Sequence, residues 1–130
     1  FIGEMNFLDG VVESRNGEDL QIAGGGTSVS LQYESSNYVA GNTLSLAFRP
    51  EAARISDSEV SGTPELVQFG GTIEQVIYIG TDRRYAVKLN SGETVTARVQ
   101  NTNDSRISIP GVGSRVAVCV SHSDIRLLRG

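Results

Sequence analysis

Few residues in this chain can do acid–base, nucleophilic or metal chemistry, and the sequence does not group them. His122 is the only histidine, Cys119 the only cysteine and Lys88 the only lysine. A Ser-His-Asp arrangement needs its histidine beside a nucleophile and a carboxylate. Nothing in the sequence gathers such groups around His122, which reads as a surface turn residue. A single cysteine excludes an internal disulfide and a cysteine-based zinc site; Cys119, in an apolar stretch, reads as a small buried hydrophobe. A phosphate-binding P-loop needs a glycine-rich loop followed by Lys and then Ser or Thr, whereas Lys88 stands between Val87 and Leu89 in a strand pattern. The carboxylates are scattered singly. No catalytic residue, cofactor or metal site is therefore expected in this chain.

What remains is chemistry of recognition. Arg49-Pro50-Glu51 directly follows an apolar strand. In an extended chain Arg49 and Glu51 project to the same side. One reading is an exposed ion pair capping the strand, worth about 0–1 kcal/mol. The other is a docking corner in which Pro50 fixes the backbone and Arg49 offers a planar fork to a partner carboxylate. Spacing alone favours the ion pair. Gly24-Gly25-Gly26-Thr27-Ser28 could turn backbone N–H groups toward a small anion, with Gly25 and Gly26 as the ligand candidates. No helix and no basic residue accompany it, so a flexible turn is the simpler reading. Arg83-Arg84 at a hairpin tip could meet an anion or an acidic partner, against the simpler reading of a solvated tip. Phe1, Ile2, Phe7 and Leu8 form an apolar cluster that reads as core, with part left over as an interface.

The elements that must position these residues are strands. Gly71–Gln100 reads as a three-stranded meander. Tyr85, Val87 and Leu89 alternate with Arg84, Ala86 and Lys88, and Val95, Ala97 and Val99 alternate with Thr94, Thr96, Arg98 and Gln100. That period of two marks half-buried strands. Gly80-Thr81-Asp82 and Asn90-Ser91-Gly92 supply the turns. The first strand of the meander, Thr72–Ile79, is apolar enough to predict burial on both faces. Upstream, strands are expected at Val11–Ser14, Asp19–Ala23, Ser28–Tyr33, Thr43–Phe48 and Arg54–Ser56, with Asn16-Gly17 as a hairpin turn. Pro50 ends the fourth of these, and a single helical turn fits near Glu51-Ala52-Ala53. Asp57–Phe69 and Asn101–Gly113 read as loop-rich connectors. Arg115–Val120 and Ser123–Leu128 close the chain.

The halves repeat. Gly10-Val11-Val12-Glu13 answers Gly71-Thr72-Ile73-Glu74, and the run from Gly41 to Phe48 answers the run from Gly113 to Val120. Arg54-Ile55 falls opposite Arg126-Leu127. Each half, 1–60 and 61–130, then has about five short strands. The expected fold class is all-β: two small OB-like five-stranded barrels packed together. No run approaches the ~20 apolar residues that span a bilayer as a helix. A net charge of −4, a pI near 4.9, four Tyr, four Phe and no Trp argue against nucleic acid as a partner. The chain opens on Phe1-Ile2-Gly3 without Met, which suggests an excised or processed piece.

Together these residues resemble a family. Phe1-Ile2-Gly3, then Asn6-Phe7-Leu8 and Gly10, resembles the junction after the nucleotide-binding domain in ATP-binding subunits of ABC importers. Leu44–Phe48 followed by Arg49-Pro50-Glu51 is similar to that family's apolar strand and Arg-Pro-Glu signature. Gly71-Thr72-Ile73, Tyr78-Ile79-Gly80 and Tyr85-Ala86-Val87 resemble its transport-associated OB segment, and Gly113–Leu128 resembles its closing strands. Arg84-Tyr85-Ala86-Val87 and Gln100-Asn101 resemble the spermidine/putrescine type; iron and sugar importers have similar tails. The resemblance implies a C-terminal TOBE/MOP-like regulatory domain, peripheral to the inner membrane on the cytoplasmic side. Its partners would be its own ATPase domain, a second copy in a homodimer, and the transporter's membrane subunits. ATP and Mg would belong to the parent subunit and not to this chain. Arg49, Pro50 and Glu51 become interface candidates, and Phe1, Gly3 and Asn6 would link to the ATPase domain. A stand-alone protein binding a small ligand or oxyanion is the alternative.

Overall fold

A computed structural model describes residues 4–32, 38–56, 66–100 and 111–129. These residues form ten strands in two antiparallel five-stranded sheets. The strands are β1 (Asn6–Asn16), β2 (Asp19–Gly24), β3 (Thr27–Gln32), β4 (Thr43–Phe48), β5 (Arg54–Ser56), β6 (Leu66–Ile79), β7 (Asp82–Leu89), β8 (Thr94–Gln100), β9 (Arg115–Ser121) and β10 (Arg126–Arg129). Two 3₁₀ turns, Pro50–Ala52 and His122–Asp124, stand in equivalent places before β5 and β10. The all-β, paired OB-like class expected from the period-two patterns is the observed one.

The repeat is real at the level of single hydrogen bonds. The Val12 N–H donates to Asn42 O (2.9 Å) and the Gly41 N–H donates to Val12 O (2.8 Å). In the second half the Ile73 N–H donates to Ser114 O (3.0 Å) and the Gly113 N–H to Ile73 O (2.8 Å). Each first strand carries a bulge one residue later, at Glu13 between Val12 and Ser14 and at Glu74 between Ile73 and Gln75. A bulge bends its strand and increases the local twist, which suits long β1 and β6 to wrapping a small barrel. The two bulge carboxylates even find equivalent partners: Ser28 Oγ donates to Glu13 (2.6 Å) and Thr94 Oγ1 to Glu74 (3.3 Å).

The halves exchange their last strands. The sheet orders are β10-β4-β1-β2-β3 and β5-β9-β6-β7-β8. Short β5 leaves the first half to pair with β9, and β10 returns from the second half to pair with β4. Each sheet is thus completed by the other half of the chain, and one continuous cluster of buried side chains runs through both. At its centre the rings of Phe48 and Phe69, one from each half, stack at 6.1 Å with 9° between planes.

Two stretches differ from the sequence expectation. β1 begins at Asn6 and β6 at Leu66, so parts of the expected opening and connector segments are strand. At the other end of β6, burial on both faces does not hold. Ile77, Tyr78 and Ile79 are 43%, 70% and 53% exposed, because the β6–β7 hairpin runs past the barrel it helps to build. Phe1 and Gly3, expected to link to an ATPase domain, and most of the Asn101–Gly113 connector lie outside the described residues.

Candidate functional site

Arg49-Pro50-Glu51 forms the corner where the chain leaves one sheet for the other. Arg49 is still extended (φ −78°, ψ 148°). Pro50 then opens a 3₁₀ turn, a position where its missing N–H costs nothing and its fixed φ fits. The Ala52 N–H donates to Arg49 O (3.0 Å) and the Ala53 N–H to Pro50 O (3.2 Å). Pro50 and Ala53 are buried while Arg49 and Glu51 are exposed. The extended-chain geometry assumed for Arg49 and Glu51 therefore gives way to a turn, and the two side chains flank a buried proline.

Both side chains line two clefts. The first, about 230 Å³, is formed by Glu4, Arg49, Pro50, Glu51, Arg84 and Arg98. Its walls are held by ion pairs: Arg84 donates to Glu4, and Arg98 donates through Nε (2.7 Å) and Nη2 (2.6 Å) to Asp82 Oδ2. The second, about 390 Å³, lies between Arg49 and Glu51 on one side and Ser123, Asp124 and Arg126 on the other. Guanidinium forks and carboxylates alternate across an open corner. That arrangement suits a partner surface with charges of its own, since planar forks bind carboxylates bidentately.

Beneath the corner, Asn6 holds the two halves together. It is 8% exposed. Its Nδ2 donates to Thr96 O (2.8 Å), and its Oδ1 accepts from the Thr96 N–H (2.8 Å). The side-chain amide thus imitates one strand residue and satisfies edge strand β8 from β1. A buried polar side chain is stable only when so paired. The structure places Asn6 in this internal seam.

The other sequence candidates separate. Arg84 reaches the corner through Glu4, whereas Arg83, one residue away on a strand, faces the opposite side. The hydroxyl of Tyr85, hydrogen-bonded to the Arg83 guanidinium and close to it, raises its pKa above the ordinary arginine value. The guanidinium also lies 5.7 Å from the centre of the Tyr78 ring. Gly25 and Gly26 have φ of +62° and +84°. A Cβ on Gly25 would stand 2.4 Å from the Phe69 ring, and one on Gly26 would stand 2.8 Å from the Ser91 backbone nitrogen. This turn is packed against the second half, so its glycines are required by close approach as well as by positive φ.

The sequence reading missed Glu4, Asp82 and Arg98, which carry no motif and become neighbours only through the sheet register that sets Arg84 opposite Arg98. Thr27 and Ser28, from the stretch offered for a small anion, line with Ser30, Gln68 and His122 a cleft of about 270 Å³; Gln68 and His122 were not read as part of it. This cleft lies by the second 3₁₀ turn as the charged one lies by the first. Its hydroxyl run was visible in the sequence.

The TOBE domain family matches residues 46–128. The chain belongs to the TOBE domain family. Relatives of this TOBE chain include the spermidine/putrescine import ATP-binding protein PotA 2 of Pseudomonas aeruginosa, 31% identical over 116 residues that make up 89% of the chain and 32% of the relative. The corresponding PotA of Mesorhizobium japonicum is 28% identical over 130 residues, 99% of the chain and 33% of the relative. The putrescine transport ATP-binding protein PotG of Escherichia coli is 27% identical over 120 residues, 92% of the chain and 31% of the relative. The chain thus spans about a third of the length of these curated relatives, and it matches their C-terminal region. Among solved structures, the cytoplasmic molybdate-binding protein ModG, with molybdate bound, superposes with a TM-score of 0.79 over 96% of both chains at 15% identity. That likeness is one of fold.

Proposed function

We propose that this TOBE chain is the regulatory and dimerisation domain of the ATP-binding subunit of an ABC importer, with polyamines as the favoured substrate class. The observation that carries the reading is that relatives matched over nearly the whole chain are polyamine-import ATP-binding proteins. The structure is compatible with it. Strand exchange, the Phe48–Phe69 stack and the Asn6 bridge make the two barrels one unit, so a displacement imposed at one end is carried to the other. The Arg49–Glu51 corner is the surface proposed to meet the ATPase domain. Catalysis, ATP and Mg²⁺ belong to the parent subunit, whose other partners are a second copy and the membrane subunits at the cytoplasmic face of the inner membrane. Among the described residues no helix is long and apolar enough to cross a membrane.

The test is ATP hydrolysis by the assembled transporter carrying Arg49→Ala and Glu51→Ala. Substrate-stimulated hydrolysis should change while nucleotide affinity does not. Unchanged hydrolysis under all substrate conditions would remove the corner from the coupling path.

A second reading has one observation of its own. The Thr27–Ser30 hydroxyl cleft with His122, on a fold shared with a molybdate-binding protein, is the place where a small-ligand or oxyanion-binding protein would take its ligand. Calorimetry with molybdate, sulfate and spermidine separates the readings: heat of binding that Ser28→Val and Ser30→Val abolish favours the second, and no heat removes it.

A further inference from the structure

The outer face of the first sheet differs from its repeat. The strand registers align the halves residue by residue. Phe7 stands opposite Ala47 as Gln68 stands opposite Cys119. Leu128 stands opposite Ser45 as Ser56 stands opposite Ala117. Val11 and Thr72 correspond in the same way, opposite Thr43 and Arg115. All three pairs of equivalents alternate with inward residues and so point away from the core. The second half is polar at each position, with Gln68, Thr72 and Ser56. The first half is apolar at each, and its Phe7, Val11 and Leu128 are 55%, 43% and 43% exposed. The repeat is an internal control. The same sheet forms with polar side chains at these places, so packing does not require the apolar ones. Single exposed apolar residues need no explanation; three that replace polar equivalents do. Phe7 and Leu128 lie on either side of β4, which presents only small Ser45 and Ala47 between them. Val11 follows along β1, beyond Asp9.

This face adjoins the Arg49–Glu51 corner. Met5, two residues before Phe7, lines the cleft of Arg49, Glu51, Asp124 and Arg126. Arg126 shares the sheet row of Ala47 and Phe7. Charged groups therefore border an apolar centre, as at protein interfaces generally. The chain also enters here, since Glu4 and Met5 lead directly to Phe7. In the relatives the matched stretch is C-terminal, so the preceding part of such a polypeptide arrives at this edge. The size of the face fits a tethered occupant. A stable contact between separate chains takes about 20–30 residues a side. A body joined by a short linkage is held at an effective concentration on the order of millimolar and needs far fewer.

We propose that Phe7 and Leu128, with Val11, are the apolar centre of the contact with the ATP-binding portion of the same polypeptide, and that the Arg49–Glu51 corner is its charged rim. This inference rests on the regulatory-domain reading and names the surface which that reading uses. The occupant presents apolar side chains to Phe7 and Leu128 and charged ones to the rim.

The experiment is hydroxyl-radical footprinting of the 130-residue chain and of the full-length polypeptide, with circular dichroism as the check on folding. Phe7, Leu128 and neighbouring Met5 should be oxidised about fivefold more slowly in the full-length protein, because side chains at the centre of an interface lose contact with water. Tyr78, 70% exposed and paired with Arg83 on the side away from the corner, should keep its rate. Phe7→Gln with Leu128→Ser installs the residues that the other half carries at those positions. The double variant of the chain should therefore melt like the wild type, and in the full-length protein its Met5 should recover most of the rate seen in the chain alone. Equal rates for Phe7 and Leu128 in the two wild-type proteins overturn the apolar contact, and an effect of Arg49→Ala on substrate-stimulated hydrolysis would then leave the regulatory reading standing without it. Protection already present in the chain alone, and rising with its concentration, assigns the face to a second copy and overturns this occupant. A chain made with no ATP-binding portion attached overturns the contact and the reading together.

Discussion

Gly25→Ala tests how tightly the two halves are joined, and Gly17→Ala supplies its control. Both glycines have nearly the same backbone, with φ of +62° and +66°. Adding a methyl group in that region costs about 1–2 kcal/mol from the clash with the neighbouring carbonyl. The surroundings differ. A Cβ at Gly17 meets nothing within 4 Å, whereas one at Gly25 meets Phe69 Cδ1 at 2.4 Å and Cε1 at 2.8 Å. The Phe69 ring cannot yield, since it is fully buried and stacked on fully buried Phe48. Overpacking of this kind adds about 1–3 kcal/mol. Gly17→Ala should therefore lose about 1–2 kcal/mol and Gly25→Ala about 2–5 kcal/mol. With a urea slope of about 2 kcal/mol per molar, the Gly25 midpoint should fall below the Gly17 midpoint by about 0.5–1.5 M. Equilibrium urea unfolding followed by far-UV circular dichroism reads this directly. Equal midpoints for the two variants would mean that the Gly24–Gly26 turn does not rest on Phe69, and the reasoning that joins the halves there would fail.

Three further outcomes are expected. Asn6→Ala leaves the Thr96 N–H and C=O without their partner and should cost about 1–3 kcal/mol in the same unfolding assay; a loss near zero would mean that the seam is not closed through Asn6. Val87→Asp places an unpaired charge on a fully buried inward position and should abolish cooperative melting, whereas wild-type melting would put the β7 register off by one. Asp82→Asn should cost no more than about 1 kcal/mol, because Arg98 is partly exposed and such pairs are worth little; a larger loss, insensitive to salt, would mark the pair as shielded from solvent.

Legibility followed the physics of each stretch. In β7 the inward positions Tyr85, Val87 and Leu89 are large and apolar and alternate with Arg84, Ala86 and Lys88, so alternation alone gave the correct face. In β1 the code is inverted at its start. Asn6 and Gly10 point inward while Phe7 points out, and no hydropathy rule reads that as strand. The amide of Asn6 is tolerated inside only because Thr96, ninety positions away in the numbering, completes its hydrogen bonds. The repeat was legible because both halves need a glycine before the same bulge and turn. The strand exchange was not, since β5 and β10 are short and nothing local says which sheet they join. At the corner, Arg-Pro-Glu stood out as a motif, but Glu4 and Arg98 reach it through register that only the folded sheet supplies.

The measurement closest to the central claim is capture from the cells that make this chain. An antibody against it should retain a polypeptide of the relatives' length, of which the chain is 33%, and the captured material should hydrolyse ATP and carry membrane subunits with it. Recovery of the 130-residue chain by itself, binding an oxyanion and bringing no ATPase activity, would contradict the regulatory-domain account.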